Sequence, residues 1–192
     1  EVAKVYLPLD GQDLCDEKQF ISLGGYGGDL DFFQFKGAVE TIFDSFHIQN
    51  VKYAAARKNP SYHPGRCAVL SIDGTVVGVM GQIHPLVCKN YNVDQPMFAA
   101  EIDFDALLAA RPKAIRYQPL PKFPAVERDI AVVCDQKVPV SDLEDCIRRG
   151  GKGLIRDIQL FDVYTGNPIP EGKKSVAFAL KLRHDDRTLT DA

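Results

Sequence analysis

The sequence predicts an α+β protein of two modules, each an antiparallel sheet with helical cover. Three observations carry that expectation. An amphipathic helical stripe in residues 32–46 is followed by a hairpin signal, Asp73-Gly74 set between alternating apolar runs. Residues 112–126 hold 4 of the 12 prolines and follow neither a helical nor a strand period, which marks a boundary. Beyond it the order reads strand, helix, strand, strand.

Composition bounds the function. A chain of 192 residues has room for one large domain or two small ones. No run of about 18 apolar residues is present, and the N-terminal residues lack a charged-then-apolar targeting pattern, so no membrane partner is expected. The first residue is Glu rather than Met and the last is Ala192, so the chain reads as a fragment. Five scattered cysteines form no Cys-x-x-Cys pair, which points to reduced thiols and a cytoplasmic setting. The net charge of −3 excludes a general polycationic binder of nucleic acid. Residues 117–192 carry 12 Lys+Arg against 12 Asp+Glu, so any RNA binding there must be local and specific rather than driven by bulk charge.

In the first module, residues 2–7 read as a short strand and 20–28 as a strand ending in the turn GGYGG. That turn lacks the spacing and the Lys-Ser/Thr of a phosphate-binding loop, so a flexible strand-to-helix connection is expected. Asp31 is placed to cap the next helix, in which Phe32, Phe35, Val39, Ile42, Phe43 and Phe46 form one apolar face. Residues 51–56 read as a strand, 66–83 as the hairpin, 97–103 as another strand, and 106–111 as a short helix capped by Asp103 or Asp105. His63 and His84 each precede a proline at the ends of the hairpin without a third ligand at suitable spacing. Turn histidines are expected there rather than a metal site.

In the second module, residues 128–135 read as a strand. Pro139 and Ser141-x-x-Glu144 then form a capping box, Val140, Leu143 and Ile147 make the buried stripe, and Gly150-Gly151 ends the helix. Residues 158–182 read as two strands joined by a Gly/Pro/Asn loop, with Thr188 or Thr190 placed to cap a second helix. That order is most of a ferredoxin-like βαββαβ sandwich. In the last strand Val176, Phe178, Leu180 and Leu182 alternate with Ser175, Ala177, Ala179, Lys181 and Arg183. One face must be buried; the other is small and runs into cations. On the preceding strand Asp162 and Tyr164 share a face, opposite to Phe161 and Val163. A carboxylate beside an aromatic ring on an open sheet suits one base edge and one stacked base, while the same residues also suit a half-buried sheet tyrosine with solvated cations.

Several motifs follow one another in order along the two modules. The first carries Asp31-Phe32-Phe33-x-Phe35-Lys36-Gly37, His63-Pro64-Gly65-Arg66, Gly78-x-x-Gly81-x-Ile83-His84-Pro85 and Ala100-Glu101-Ile102-Asp103. The second carries Phe123-Pro124-Ala125-Val126-x-Arg128-Asp129-Ile130-Ala131, Phe161-Asp162-Val163-Tyr164-x-Gly166, Gly172-Lys173-Lys174-Ser175 and Arg187-Thr188-Leu189-Thr190-Asp191. Over nearly the whole chain they resemble the C-terminal part of the bacterial phenylalanyl-tRNA synthetase β subunit. The resemblance implies a non-catalytic relative of the class II synthetase core over residues 1–112, packed against a catalytic α subunit. It implies a proline-rich linker over 113–126 and a ferredoxin-fold anticodon-binding domain over 127–192, lacking its last helix and strand. It further implies an assembly of two α and two β subunits acting on tRNA(Phe), not DNA. ATP and Mg²⁺ would serve the whole enzyme, with no cofactor in this fragment. For the Phe-Asp-x-Tyr motif it implies anticodon contact: Asp162 on the first anticodon base, a guanine offering N1–H and N2–H₂ donors, and Tyr164 stacked on a base. Ser175, Lys181 and Arg183 would hold neighbouring groups and phosphates.

Two classes of function remain, a synthetase active in its own right and a binding and packing module. A class II core needs an arginine to hold the ATP triphosphate. The stretch that corresponds to the arginine-bearing segment of catalytic relatives, residues 97–108, reads MFAAEIDFDALL, with Glu101, Asp103 and Asp105 and no arginine. Negative charge there repels a triphosphate, so no catalytic residue is expected in this chain. The alternative, a generic ferredoxin-fold RNA-binding module outside any synthetase, leaves the first-module motifs unexplained.

Overall fold

Asp31 starts the helix around which the first unit is built. Its carboxylate accepts from the Gln34 amide at 2.7 Å while its own amide donates to Gln34 Oε1 at 3.0 Å, a reciprocal box that satisfies two otherwise orphaned donors. Helix α1 (Phe32–Ser45) then turns Phe35, Val39 and Phe43 inward, the last two with exposures of 0% and 1%. The computed structural model describes residues 1–112, 117 and 119–190, and the chain divides into units Glu1–Ile115 and Arg116–Ala192. Of the linker expected over 113–126, residues 113–116 and 118 lie outside the described residues.

The first unit pairs β1 (Val2–Leu7), β2 (Asp16–Tyr26), β3 (Val51–Ala55), β4 (Tyr62–Ile72), β5 (Thr75–Ile83) and β6 (Met97–Asp103) in the order β1-β2-β6-β5-β4-β3. Every neighbouring pair is antiparallel. Leu70, Val77, Met80, Phe98, Ala100 and Ile102 form the sheet side of the core, and Phe35 stacks on Phe98 with centroids 5.7 Å apart. Asp73 and Gly74 make the expected two-residue turn, both with positive φ (49° and 85°). Asp103 caps helix α3 (Phe104–Ala110), accepting from the Ala106 amide at 2.9 Å. The short helix α2 (Pro85–Asn90) was not expected. Proline at its first position and the His84 ring, which accepts from the Leu86 amide at 3.2 Å, start it.

Gly81 shows how tightly β4 and β5 approach. A Cβ there would lie 2.5 Å from the Arg66 carbonyl oxygen and 2.8 Å from Cys67 Cα. Both are backbone atoms that no rotamer change can move. Gly81→Ala is therefore expected to destabilise the chain by about 1–3 kcal/mol, the range for overpacking. Urea unfolding of variant and parent measures it, and an unchanged midpoint would contradict the close approach.

The second unit orders β7 (Val126–Asp135), β8 (Ile155–Tyr164) and β9 (Lys173–Leu182) as β7-β9-β8, antiparallel throughout, the βαββ order expected. Helix α4 (Val140–Gly150) lays Val140, Leu143 and Ile147 on Val176, Phe178 and Leu180. The capping box expected from Ser141 and Glu144 is not formed. Pro139, extended at ψ 144°, is the N-cap and no side chain caps the helix, because the helix begins one residue ahead of Ser141. Thr188 begins no helix among the described residues.

Candidate nucleic-acid interface

The face of the second sheet turned away from α4 is a grid set by register. Ser175 lies between Val133 and Tyr164, Ala177 between Ala131 and Asp162, Ala179 between Asp129 and Gln159, and Lys181 between Glu127 and Asp157. Residues opposite one another in antiparallel strands share a face, so these rungs all point outward. The centre of the grid is occupied by alanines, which keep the middle strand low and leave the flanking groups standing above it.

Two β-bulges arrange β8. Strict alternation would put Ile158 and Leu160 on the same side as Asp162 and Tyr164, burying the carboxylate or exposing the aliphatics. The register shifts between Leu160 and Asp162, with Phe161 as the extra residue, so Ile158 and Leu160 lie opposite Leu180 and Phe178 while Asp162 and Tyr164 lie opposite Ala177 and Ser175. A second shift between Ile155 and Asp157 leaves Arg156 as the extra residue.

Asp162, Tyr164 and Ser175 are brought together. The Tyr164 hydroxyl donates to the Asn167 carbonyl at 2.8 Å, which fixes the ring, and the residue remains 46% exposed, leaving ring surface for stacking. The Asp162 carboxylate is exposed and carries no hydrogen bond or ion pair among the described residues. Lys181 shares the face four residues along β9 from Ala177, a distance of about 13 Å, and lies 3.7 Å from Glu127. Arg183 stands one residue beyond the strand. The strand ends at Leu182, and Arg183 is half-buried in a groove it lines with residues 119–123, Arg156, Asp185 and Asp186.

The sequence reading missed the flanking carboxylates Glu127, Asp129, Asp135 and Asp157, and Gln159. Alternation along β7 sets Asp129 and Ala131 on one side, but strand pairing is needed to show that β7 and β8 flank β9. In the first unit, burial pushes the Tyr62 phenol up to about 12 and raises the Cys67 thiol, as expected of core groups rather than reactive ones. No helix among the described residues is long and apolar enough to cross a membrane.

A three-stranded antiparallel sheet in βαββ order, backed by one helix and open on its other face, falls in the class of ferredoxin-like α+β folds. The family described as ferredoxin-fold anticodon binding domain matches residues 121–192, and that described as phenylalanyl tRNA synthetase beta chain CLM domain matches residues 1–104. The chain belongs to the phenylalanyl-tRNA synthetase β-chain family. It is 42% identical over 192 residues to the phenylalanine–tRNA ligase β subunit of Clostridium acetobutylicum and 39% identical over 192 residues to that of Clostridium tetani, covering all of this chain and 24% of each relative. It is 43% identical over 162 residues to that of Geobacillus kaustophilus, covering 84% of this chain and 20% of the relative. The chain thus spans about a quarter of the length of these curated relatives.

Proposed function

We propose that this chain is part of the β subunit of a phenylalanine–tRNA ligase. Its second unit holds the anticodon of tRNA(Phe) on the open sheet face, and its first unit packs against a separate catalytic α subunit. The observation that carries the reading is the outward cluster of Asp162, Tyr164 and Ser175 around Ala177, on a unit matched by an anticodon-binding family. An exposed carboxylate accepts from the N1–H and N2–H₂ edge of guanine, the aromatic ring stacks a base, and the alanines let both approach the backbone. A generic RNA-binding sheet outside a synthetase does not account for the family match over residues 1–104. The assembly is of two α and two β subunits in the cytoplasm, with ATP and Mg²⁺ serving the α subunit.

Residues 97–108 of the first unit do not fit the triphosphate of ATP. Asp103 is engaged as the cap of α3, Asp105 accepts from the Gln19 amide at 3.3 Å, and no arginine stands in residues 97–108. A triphosphate brought there would meet carboxylates. No step of adenylate formation is therefore assigned to this chain. Full-length β subunit is expected to co-purify with its α subunit and to show no phenylalanine-dependent ATP–pyrophosphate exchange in an α-free preparation. Exchange without α, or failure of the two to associate, would overturn the proposal.

A further inference from the structure

The open face is acidic where an RNA surface is usually basic. Glu127, Asp129, Asp135, Asp157 and Asp162 stand on it against Lys173 and Lys181. Both lysines are already near carboxylates, Lys173 at 3.6 Å from Asp135 and Lys181 at 3.7 Å from Glu127. Base edges with N–H donors suit such a face, but a phosphate backbone running across it would be repelled. The phosphates must be held elsewhere.

Beyond the Lys181 end of the sheet lies a groove of about 770 Å³ where cations gather. Arg156 reaches it because the bulge takes this residue out of the ladder; its Nε donates to the Arg183 carbonyl at 3.3 Å and its Nη2 to Asp185 at 2.6 Å. Arg183 continues the ladder by donating its amide to the Leu154 carbonyl at 2.9 Å, and its side chain lines the groove. The Arg183 Nε is shut off from solvent and has no hydrogen-bond partner among the described residues. An unpaired buried N–H of a charged group is costly, and a guanidinium turned onto a phosphate pairs Nε and Nη together. Lys122 lines the same groove, so three cations face two acids, Asp185 and Asp186, of which Asp185 is tied to Arg156.

We propose that this groove is a phosphate subsite, in which Arg183, Arg156 and Lys122 hold the RNA backbone beside the bases read on the sheet. The inference rests on the reading of the open face as the RNA interface, and it divides the labour: the acidic sheet reads bases, the groove anchors the strand. The test is the salt dependence of tRNA(Phe) binding by the complete αβ enzyme. Arg156→Gln and Lys122→Gln are each expected to weaken binding alike for wild-type and anticodon-variant tRNA, and each to reduce the slope of log K against log salt by about 1. Arg183→Lys keeps the charge but loses the fork, and is expected to weaken binding with little change of slope. Asp162→Ala is expected to alter discrimination between anticodons and leave the slope unchanged. Wild-type affinity and slope in both Arg156→Gln and Lys122→Gln, with Asp162→Ala still altering discrimination, overturns the groove and leaves the sheet reading standing. Reduced slopes with unaltered discrimination in Asp162→Ala overturn the sheet reading while the groove stands.

Discussion

Phe43→Ala is expected to cost the chain about 3–5 kcal/mol of stability, the range for truncating a buried phenylalanine. Phe43 lies at the middle of the inward face of α1 with 1% exposure, against a sheet whose own core residues are equally closed to water. The loss has two parts: the ring's transfer from water, and a cavity left in the buried cluster that the surrounding core fills only in part. Phe33, on the other side of the same helix, is 76% exposed, so Phe33→Ala is the matched control and should change stability by less than about 0.5 kcal/mol. Denaturant unfolding of the two variants measures the difference. If Phe43→Ala costs less than about 1 kcal/mol, well under the range for a buried ring, α1 does not close this core.

The parts of the fold that follow a local period were legible. The stripe in α1 repeats at three and four residues, so Phe35, Val39 and Phe43 were placed inward from spacing alone, and Asp31 announced the helix start. Asp73-Gly74 specified its turn because few other pairs tolerate positive φ at both positions. The bulge at Phe161 was not legible, since one inserted residue reverses parity without any mark in composition. The Ser141 box failed because Pro139 ends the extended segment earlier than the Ser-x-x-Glu spacing suggests. The acidity of the open face was hidden for a different reason: it is assembled from β7, β9 and β8, neighbours in the sheet that α4 and a loop separate in sequence. That Asp162, Tyr164 and Ser175 come together on one face was readable because the two strands that carry them are consecutive. Arg183 stands one residue past the end of β9, with its amide still donating to the Leu154 carbonyl.

The second large effect concerns the open face itself. Tyr164 is fixed by its hydrogen bond to Asn167 and keeps ring surface exposed. Tyr164→Ala should therefore weaken tRNA(Phe) binding by about 1–3 kcal/mol, the range for losing one base–aromatic stack. Tyr164→Phe loses only the hydroxyl that anchors the ring and should retain most of the affinity. A different effect is expected at Asp162. A carboxylate accepting two donors from one base edge contributes discrimination of about 1–3 kcal/mol, or about 5- to 150-fold.

The most direct test of the account is aminoacylation by the full-length αβ enzyme carrying Asp162→Ala, with tRNA(Phe) and a variant whose first anticodon base lacks the guanine donors. The account predicts that the wild type favours the guanine-bearing tRNA and that Asp162→Ala brings the two substrates' kcat/KM values together, by slowing the first far more than the second. If Asp162→Ala and Tyr164→Ala both charge each tRNA as the wild type does, the open face of the second sheet is not where the anticodon binds.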